Sequence, residues 1–231
     1  MSKRLEAQLK QVDSSKEYDL QDALVLLQSV EKSDGVKYKS SIDAVIKLGV
    51  DPKQSDQVVK GVCDISSGRE AKIGVIADED VAKACLEAGA AKAGLDDFID
   101  DIKAGQVDFD YIITKPEHMK KISQVARILG PKGIMPNPKL GTVTEDVVGA
   151  VKKALQGQVN FRTDKAGYIH CSVGRFDFEA SKLSDNINAL VKRLRQIKPP
   201  SSKGAYIRSV RLALTMGPSV NVKLSSIDSM K

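Results

Sequence analysis

The sequence predicts a mixed α/β protein (an α/β, in part α+β, fold) of two lobes, one inserted into the other. Two observations predict this arrangement. Apolar strands alternate with helices only in the middle of the 231-residue chain, which is typical of a largely parallel sheet covered on both faces. Both ends of the chain instead combine helices with strands in hairpins, so one lobe built from the two ends is the economical topology.

The first third of the chain predicts two helices followed by two strands. In "DLQDALVLLQSV" apolar residues recur at helical spacing after Asp19, which is placed to cap the helix. In "SSIDAVIKLGVD" the apolar residues Ile42, Ala44, Ile46 and Leu48 recur at every second position. That period predicts a strand with one buried face, and "VVKGVCDI" predicts the next strand.

The Ser/Gly break "SSGRE" marks a boundary at about residue 68. Beyond it the pattern predicts apolar strands in "AKIGVIA" and "FDYIIT", and helices in "EDVAKACLEAGA", "LDDFIDDIKAG", "PEHMKKISQVARILG" and "TEDVVGAVKKALQG". We expect residues 69–158 to form an inserted, Rossmann-like, three-layer α/β domain.

After Gly157, "VNFRTDKAGYIHCSVGRFDF" predicts two strands around a turn and "SKLSDNINALVKRLRQIKPP" an amphipathic helix. The stretch "AYIRSVRLALTMGPSVNVKL" predicts two more strands joined by a turn. This pattern matches that of the first 65 residues, so we expect 1–68 and 159–231 to form one discontinuous α+β domain.

The excess of positive charge is confined to the last third of the chain. Residues 159–231 contain 13 Lys and Arg against 5 Asp and Glu, whereas 1–68 contain 10 against 11 and 69–158 contain 13 against 14. This distribution indicates a surface for a polyanion, and it is the terminal lobe that carries it.

The sequence also predicts where the protein resides. It has no apolar run long enough to span a membrane, and "MSKRLEAQLKQVD" lacks the apolar centre of a signal peptide, so we expect a cytoplasmic protein with no membrane partner. Cys63, Cys85 and Cys171 form no Cys-x-x-Cys pair, and we expect three buried thiols rather than a disulfide or a zinc site.

Support for catalysis is poor. The two histidines, His118 and His170, lie in different predicted domains, outside any recognisable nucleophile setting. The acidic run in 96–101 suggests a divalent metal site, but its helical spacing is more typical of a solvated surface. Its members are Asp96, Asp97, Asp100 and Asp101.

A nucleotide site lacks its usual motifs. No Gly-x-Gly-x-x-Gly follows the first strand of the middle domain and no phosphate-binding loop occurs elsewhere. The loop "GPKGIMPNPKLGT" offers Lys132 and Lys139 to an anion, but its three prolines remove backbone N–H donors. We predict no catalytic residue, metal or cofactor, and a Rossmann-type nucleotide enzyme is only the alternative.

Some polar residues of the terminal domain suit RNA. Tyr38 stands between Lys37 and Lys39 just before a strand, an arrangement suited to stacking on a base with phosphate contact, although it also suits packing at a domain edge. Asp164 and Lys165 in "RTDKAG" are more typical of a hairpin turn.

The stretch "TMGPS" is an unusual way to join two strands. Thr215 offers a hydroxyl to a ribose or phosphate, Met216 a flexible apolar surface, and Gly217 a backbone that RNA can approach closely. Such a loop reads shape rather than sequence. A simple turn between strands explains the same residues, and periodicity does not decide between the two.

Four motifs resemble one known family over essentially the whole chain. They are "KLGVDPKQSDQVVKG", "ARILGPKGIMPNPKLGTVT", "FRTDKAGYIH" and "KGAYIRSV" with "TMGPS". Together they resemble the bacterial form of the large-subunit ribosomal protein one family, the proteins of the mobile stalk beside the E site. The resemblance implies a monomer when free, and a structural, non-enzymatic protein that binds the stalk region of large-subunit rRNA. It also implies that the protein assists release of deacylated E-site tRNA and represses translation of its own operon messenger RNA.

The resemblance also implies the residues that bind rRNA. Tyr38 and Ser41 depart from many relatives, which carry phenylalanine and threonine there, but the ring and the hydroxyl are kept. The implied contacts are Lys37, Tyr38, Ser41, Asp43, Asp164, Lys165, Ser209, Thr215, Met216 and Gly217.

Overall fold

The computed structural model describes residues 3–13, 15–33, 40–66, 68, 71–105, 108–202 and 204–227. The chain divides into two compact units. We call Met1–Gly68 with Val159–Lys231 the terminal unit and Arg69–Gln158 the inserted unit. Both mix helices with strands, so the predicted α/β class is confirmed. Within the described part of the chain, no helix combines the length and the apolar character needed to cross a bilayer.

Eight helices and ten strands are described, with short 3-10 turns between some of them. In chain order they are α1 (Lys3–Gln11), β1 (Glu17–Tyr18), α2 (Leu20–Ser33), β2 (Ser41–Leu48), β3 (Lys60–Asp64), β4 (Ile73–Ile76), α3 (Glu79–Glu87), β5 (Lys92–Gly94), α4 (Asp96–Lys103), β6 (Tyr111–Thr114), α5 (Met119–Ile122), α6 (Ala126–Lys132), α7 (Val147–Gly157), β7 (Gln158–Arg162), β8 (Tyr168–Arg175), α8 (Ala180–Gln196), β9 (Ile207–Leu214) and β10 (Ser219–Val222).

A five-stranded sheet, in the order β1-β10-β9-β2-β8, forms the centre of the terminal unit. β2 runs antiparallel to β8 on one side and to β9 on the other. The predicted buried face of β2 is confirmed, because Ile42, Ala44, Ile46 and Leu48 are all inaccessible to solvent or nearly so. These side chains share one apolar core with α2 and α8.

The two strands around a turn predicted for 159–178 are present as β7 and β8, but they do not pair with each other as a regular hairpin. β7 pairs with β3 in a separate two-stranded sheet, and a single bridge, Thr163 to Ile169, connects it with β8. The side chain of Thr163 explains the choice of partner. Its hydroxyl donates to the Val59 carbonyl at 2.7 Å and accepts from the Val59 N–H at 2.9 Å, so both polar groups of Val59 are satisfied and the start of β3 is tied to the end of β7.

The inserted unit contains a parallel three-stranded sheet in the order β5-β4-β6, with helices on both faces. Ile73 and Val75 of β4 face the core shared with α3 and α7, whereas Ile76 faces the core shared with α4, α5 and α6. Because successive side chains of a strand point to opposite faces, the continuous apolar run of β4 serves two cores. The predicted three-layer arrangement is therefore present.

Two details of the inserted unit differ from the sequence prediction. β5 was not predicted, because three residues with one lysine and one glycine carry no strand pattern. The single helix predicted for 116–130 is divided by 3-10 turns at Pro116–His118 and Ser123–Val125, and α6 continues through Pro131 to Lys132. Gly133 ends it in the left-handed conformation, with φ of 73°.

Candidate nucleic-acid interface

The five-stranded sheet presents a polar surface on the side away from its core. Residues that alternate with the buried positions of each strand point to this side. Strand register sets their neighbours, so that Asp43 lies between Ser172 of β8 and Ala213 of β9. We call this surface the outer face, and it comprises Ser41, Asp43, Val45 and Lys47 of β2, Tyr168, His170 and Ser172 of β8, and Ser209, Arg211 and Ala213 of β9.

The "TMGPS" stretch closes the outer face at one end. Gly217 N–H donates to the Leu214 carbonyl at 3.0 Å, which makes a tight turn between β9 and β10. The turn is held against β2, because Thr215 N–H donates to the Ser41 carbonyl at 3.0 Å. The Thr215 hydroxyl also lies 2.9 Å from the Ser41 carbonyl and 2.9 Å from Asp43 Oδ2. One hydroxyl proton thus has two acceptors, and three of the predicted site residues meet there.

This cluster borders a groove suited to a polar ligand. The hydroxyl of Thr215 has lone pairs for a ribose hydroxyl, and the Asp43 carboxylate can accept from a ribose hydroxyl or an exocyclic amine. The groove has a volume of about 380 Å³ and is lined by Asp43, Val45, His170, Cys171, Ser172, Ala213, Leu214 and Thr215.

Met216 stands at the tip of the turn with 67% of its surface exposed, the largest value among the exposed large apolar residues that the structure describes. The structure gives a packing reason for glycine at position 217, which the sequence did not reveal. A Cβ at this position would lie 3.0 Å from Leu214 Cβ and 3.1 Å from its Cδ1. The turn's own packing therefore favours glycine, and a larger residue would disturb the turn whether or not RNA approaches it.

Asp164 stabilises the turn between β7 and β8 through its side chain. Its Oδ1 accepts from Ala166 N–H at 2.9 Å and from Tyr168 N–H at 2.8 Å. The Tyr168 N–H, followed by the Ala166 N–H and His170, lowers the pKa of the carboxyl below its ordinary value. Lys165 is exposed at the tip of this turn. The pair shapes the loop beside His170, whose Nε2 lies 3.5 Å from Asp164 Oδ2.

Ser209, another predicted site residue, is not part of the cluster around Thr215. Ser209 pairs with Lys47 near the opposite end of the outer face from Thr215, which is six residues away along β9. Ser209 borders a second groove of about 430 Å³, together with Arg208 and Arg211. Lys37 and Tyr38 lie outside the described residues.

Sequence reasoning missed an aromatic and cationic group on the outer face. Lys47 Nζ lies 4.8 Å from the centroid of the Tyr168 ring and 3.2 Å from its hydroxyl. The His170 ring follows, with its centroid 6.3 Å from that of Tyr168. A ring flanked by a cation suits base stacking with phosphate contact. The period-two pattern of β2 already put Lys47 on the face of Asp43, but it could not identify Tyr168 as its cross-strand neighbour.

The acidic run in α4 is consistent with a solvated surface. Asp100 pairs with Lys103 at 2.9 Å and Asp101 pairs with Lys92, so two carboxylates of the run are neutralised by lysines.

The family model described as "Ribosomal protein L1p/L10e family" matches residues 26–218, a segment that spans both units. The chain belongs to this family. Several curated members are similar over nearly their full length, and each bears the name "Large ribosomal subunit protein uL1". The one from Chromohalobacter salexigens is 46% identical over 228 residues, 98% of each chain. That from Pseudomonas aeruginosa is 44% identical over 231 residues, 99% of each chain. The family resemblance inferred from the sequence motifs is confirmed.

The lowered pKa of Asp164 predicts how the turn responds to acid. Because the pKa is depressed in the folded protein, the carboxylate hydrogen bonds are complete above the ordinary aspartate pKa of about 3.9 and are lost as the pH falls through the lower folded value. The amide proton shifts of Ala166 and Tyr168, followed by NMR, should therefore titrate with a midpoint below that of an ordinary aspartate. Asp164→Asn should remove this titration step. A midpoint at or above the ordinary value would contradict the assignment.

Proposed function

We propose that the outer face and the Thr215–Gly217 turn bind the stalk region of large-subunit rRNA. Family membership makes the chain a structural constituent of the large ribosomal subunit and not an enzyme, as the sequence predicted. The residues that carry its RNA binding are the subject of the proposal. It assigns this role to the terminal unit, and the inserted unit does not carry the rRNA affinity.

One observation carries the proposal. The family resemblance implies that Ser41, Asp43 and Thr215 contact RNA, and the Thr215 hydroxyl donates hydrogen bonds to the other two across separations of up to 174 residues. Core packing does not require this cluster, because the Thr215 hydroxyl is exposed and adds nothing to the apolar core. The exposed Met216 beside it gives the same site an apolar contact.

The charge distribution supports the same assignment. The terminal unit carries 23 Lys and Arg against 16 Asp and Glu, whereas the inserted unit carries 13 against 14. Attraction to phosphates is sequence-independent and supplies much of the affinity of an RNA-binding protein. Arg211 and Lys47 place part of that charge on the outer face, next to the polar groups that would read the shape of the RNA.

The proposal extends to a second RNA and to tRNA. A messenger RNA of the chain's own operon that folds like the rRNA site would bind the same surface, so occupancy of that surface would repress translation. The family resemblance supports this role, and also a role in releasing deacylated tRNA from the E site.

Removal of the Thr215 hydroxyl tests the polar cluster. Thr215→Val should weaken binding of an rRNA stalk fragment and of the operon leader RNA by about one to two decades, because an unpaired buried polar group costs roughly 1 to 3 kcal/mol. The weakening should persist at high salt, since a neutral hydroxyl contact releases no counterions. Filter binding across a salt series measures both RNAs.

Thr215→Ser is the matched control, because it keeps the hydroxyl and should bind within about twofold of the unchanged protein. Urea unfolding of both variants checks the fold. Unchanged rRNA affinity of a folded Thr215→Val would make the stretch a simple turn. Weakened rRNA binding with unchanged leader binding would contradict the shared surface for repression.

Arg211 tests the electrostatic part of the proposal. Arg211→Gln should reduce the slope of log affinity against log salt by about one, because one phosphate contact is lost. The control is Lys152→Gln, which removes one exposed cation from α7 of the inserted unit and should leave the slope unchanged. Equal effects of the two substitutions would show that rRNA does not distinguish the units.

The tRNA role predicts a kinetic defect. Ribosomes reconstituted without this chain should release deacylated tRNA from the E site more slowly, and added protein should restore the rate. Thr215→Val should restore it only at higher concentration, because it would occupy the stalk less. Fluorescence loss from labelled E-site tRNA measures the rate, and an unchanged rate without the protein would refute this role.

A further inference from the structure

The carboxyl edge of the inserted sheet brings together three metal-ligating side chains that the RNA function does not use. β4 and β6 are parallel neighbours, with Ile76 opposite Thr114. Asp78 follows β4 by two residues and Glu117 and His118 follow β6 closely, so all three reach the same edge. One potential ligand atom from each lies within 4.8 Å of the others.

His118 distinguishes this group from an ordinary acidic cluster. Its exposure is 8%, and its Nε2 is buried without a hydrogen-bond partner. This nitrogen lies 3.5 Å from Asp78 Oδ1, at the outer limit of hydrogen-bond distance, and makes no hydrogen bond there. A buried polar atom without a hydrogen-bond partner is uncommon and costs free energy, so a ligand that binds this nitrogen would stabilise the fold.

Asp78 is also placed unusually. It occupies the N-cap position of α3, yet its side chain makes no capping hydrogen bond and lies beside His118 instead. In a tetrahedral zinc site, ligand atoms about 2.0–2.1 Å from the metal lie roughly 3.3 Å from one another. The separation between His118 Nε2 and Asp78 Oδ1 is close to that value. The exposed Glu117 side chain can complete the set by a small rotation.

We propose that Asp78, Glu117 and His118 bind a zinc ion at the carboxyl edge of the inserted sheet. One imidazole and two carboxylates suit Zn²⁺ better than Mg²⁺ or Ca²⁺, which prefer oxygen ligands alone. Asp78 also borders an open groove of about 630 Å³, so its side chain is accessible from solvent.

One neighbouring side chain bears on the strength of the site. Lys115 Nζ lies 3.9 Å from Asp78 Oδ2, so its positive charge opposes the bound ion.

Calorimetric titration of the full chain with ZnCl₂ tests the proposal. We expect one saturable site, and Glu117→Gln and His118→Gln should each lower its affinity by about tenfold or more, because each removes a ligand. Glu117 is exposed, so its variant keeps the test valid even if the buried His118 is needed for folding. Lys115→Gln should raise the affinity, a result that a purely structural role of these residues would not produce.

The control is His170→Gln, since His170 is the other histidine and lies beside Asp164 on the outer face. Its affinity for zinc should match that of the unchanged chain. The proposal is overturned if no saturable binding occurs, or if His170→Gln lowers the affinity while Glu117→Gln leaves it unchanged.

Discussion

The pairing of β2 with strands from the far end of the chain is the constraint on which the terminal unit depends. β2 comes from the first quarter of the sequence, and β8 and β9, which flank it, come after the inserted unit. The sheet can therefore form only when the two ends meet. Its end is closed by Gly49, where a Cβ would collide with the Ala205 carbonyl and where the N–H donates to the Tyr206 carbonyl at 2.7 Å.

The same pairing sets the order of groups on the outer face. Core packing of Ile42, Ala44 and Ile46 fixes the register of β2, because a slip by one residue would turn this apolar set towards solvent. Once the register is fixed, Asp43 lies near the turn of Thr215 and Lys47 lies against Tyr168. A surface of polar residues is thus aligned by a core that none of them enters.

The inserted unit differs from the terminal unit in how its sheet is covered. Its sheet is covered by apolar cores on both faces, so a ligand would reach the sheet at the ends of its strands. The turn after β4 carries acidic residues where a dinucleotide-binding fold has glycines, so its layered architecture lacks the phosphate-binding motif of that fold. Positive charge is concentrated in the terminal unit, so the two units present different electrostatic surfaces.

The sequence by itself determined the α/β class, the alternation of β2, the strands β4 and β6 of the inserted unit and the family motifs. These features are local periodicities or contiguous motifs, which a linear reading detects. Only the tertiary structure decided that β7 pairs with β3 and that Lys47 lies over the ring of Tyr168. It also decided that the Leu214 side chain leaves little room for a Cβ at Gly217. The tertiary structure likewise decided that His118, which the sequence placed outside any recognisable nucleophile setting, meets Asp78. The reason is that such contacts depend on strand register and on side chains far apart in the chain, which no local period encodes.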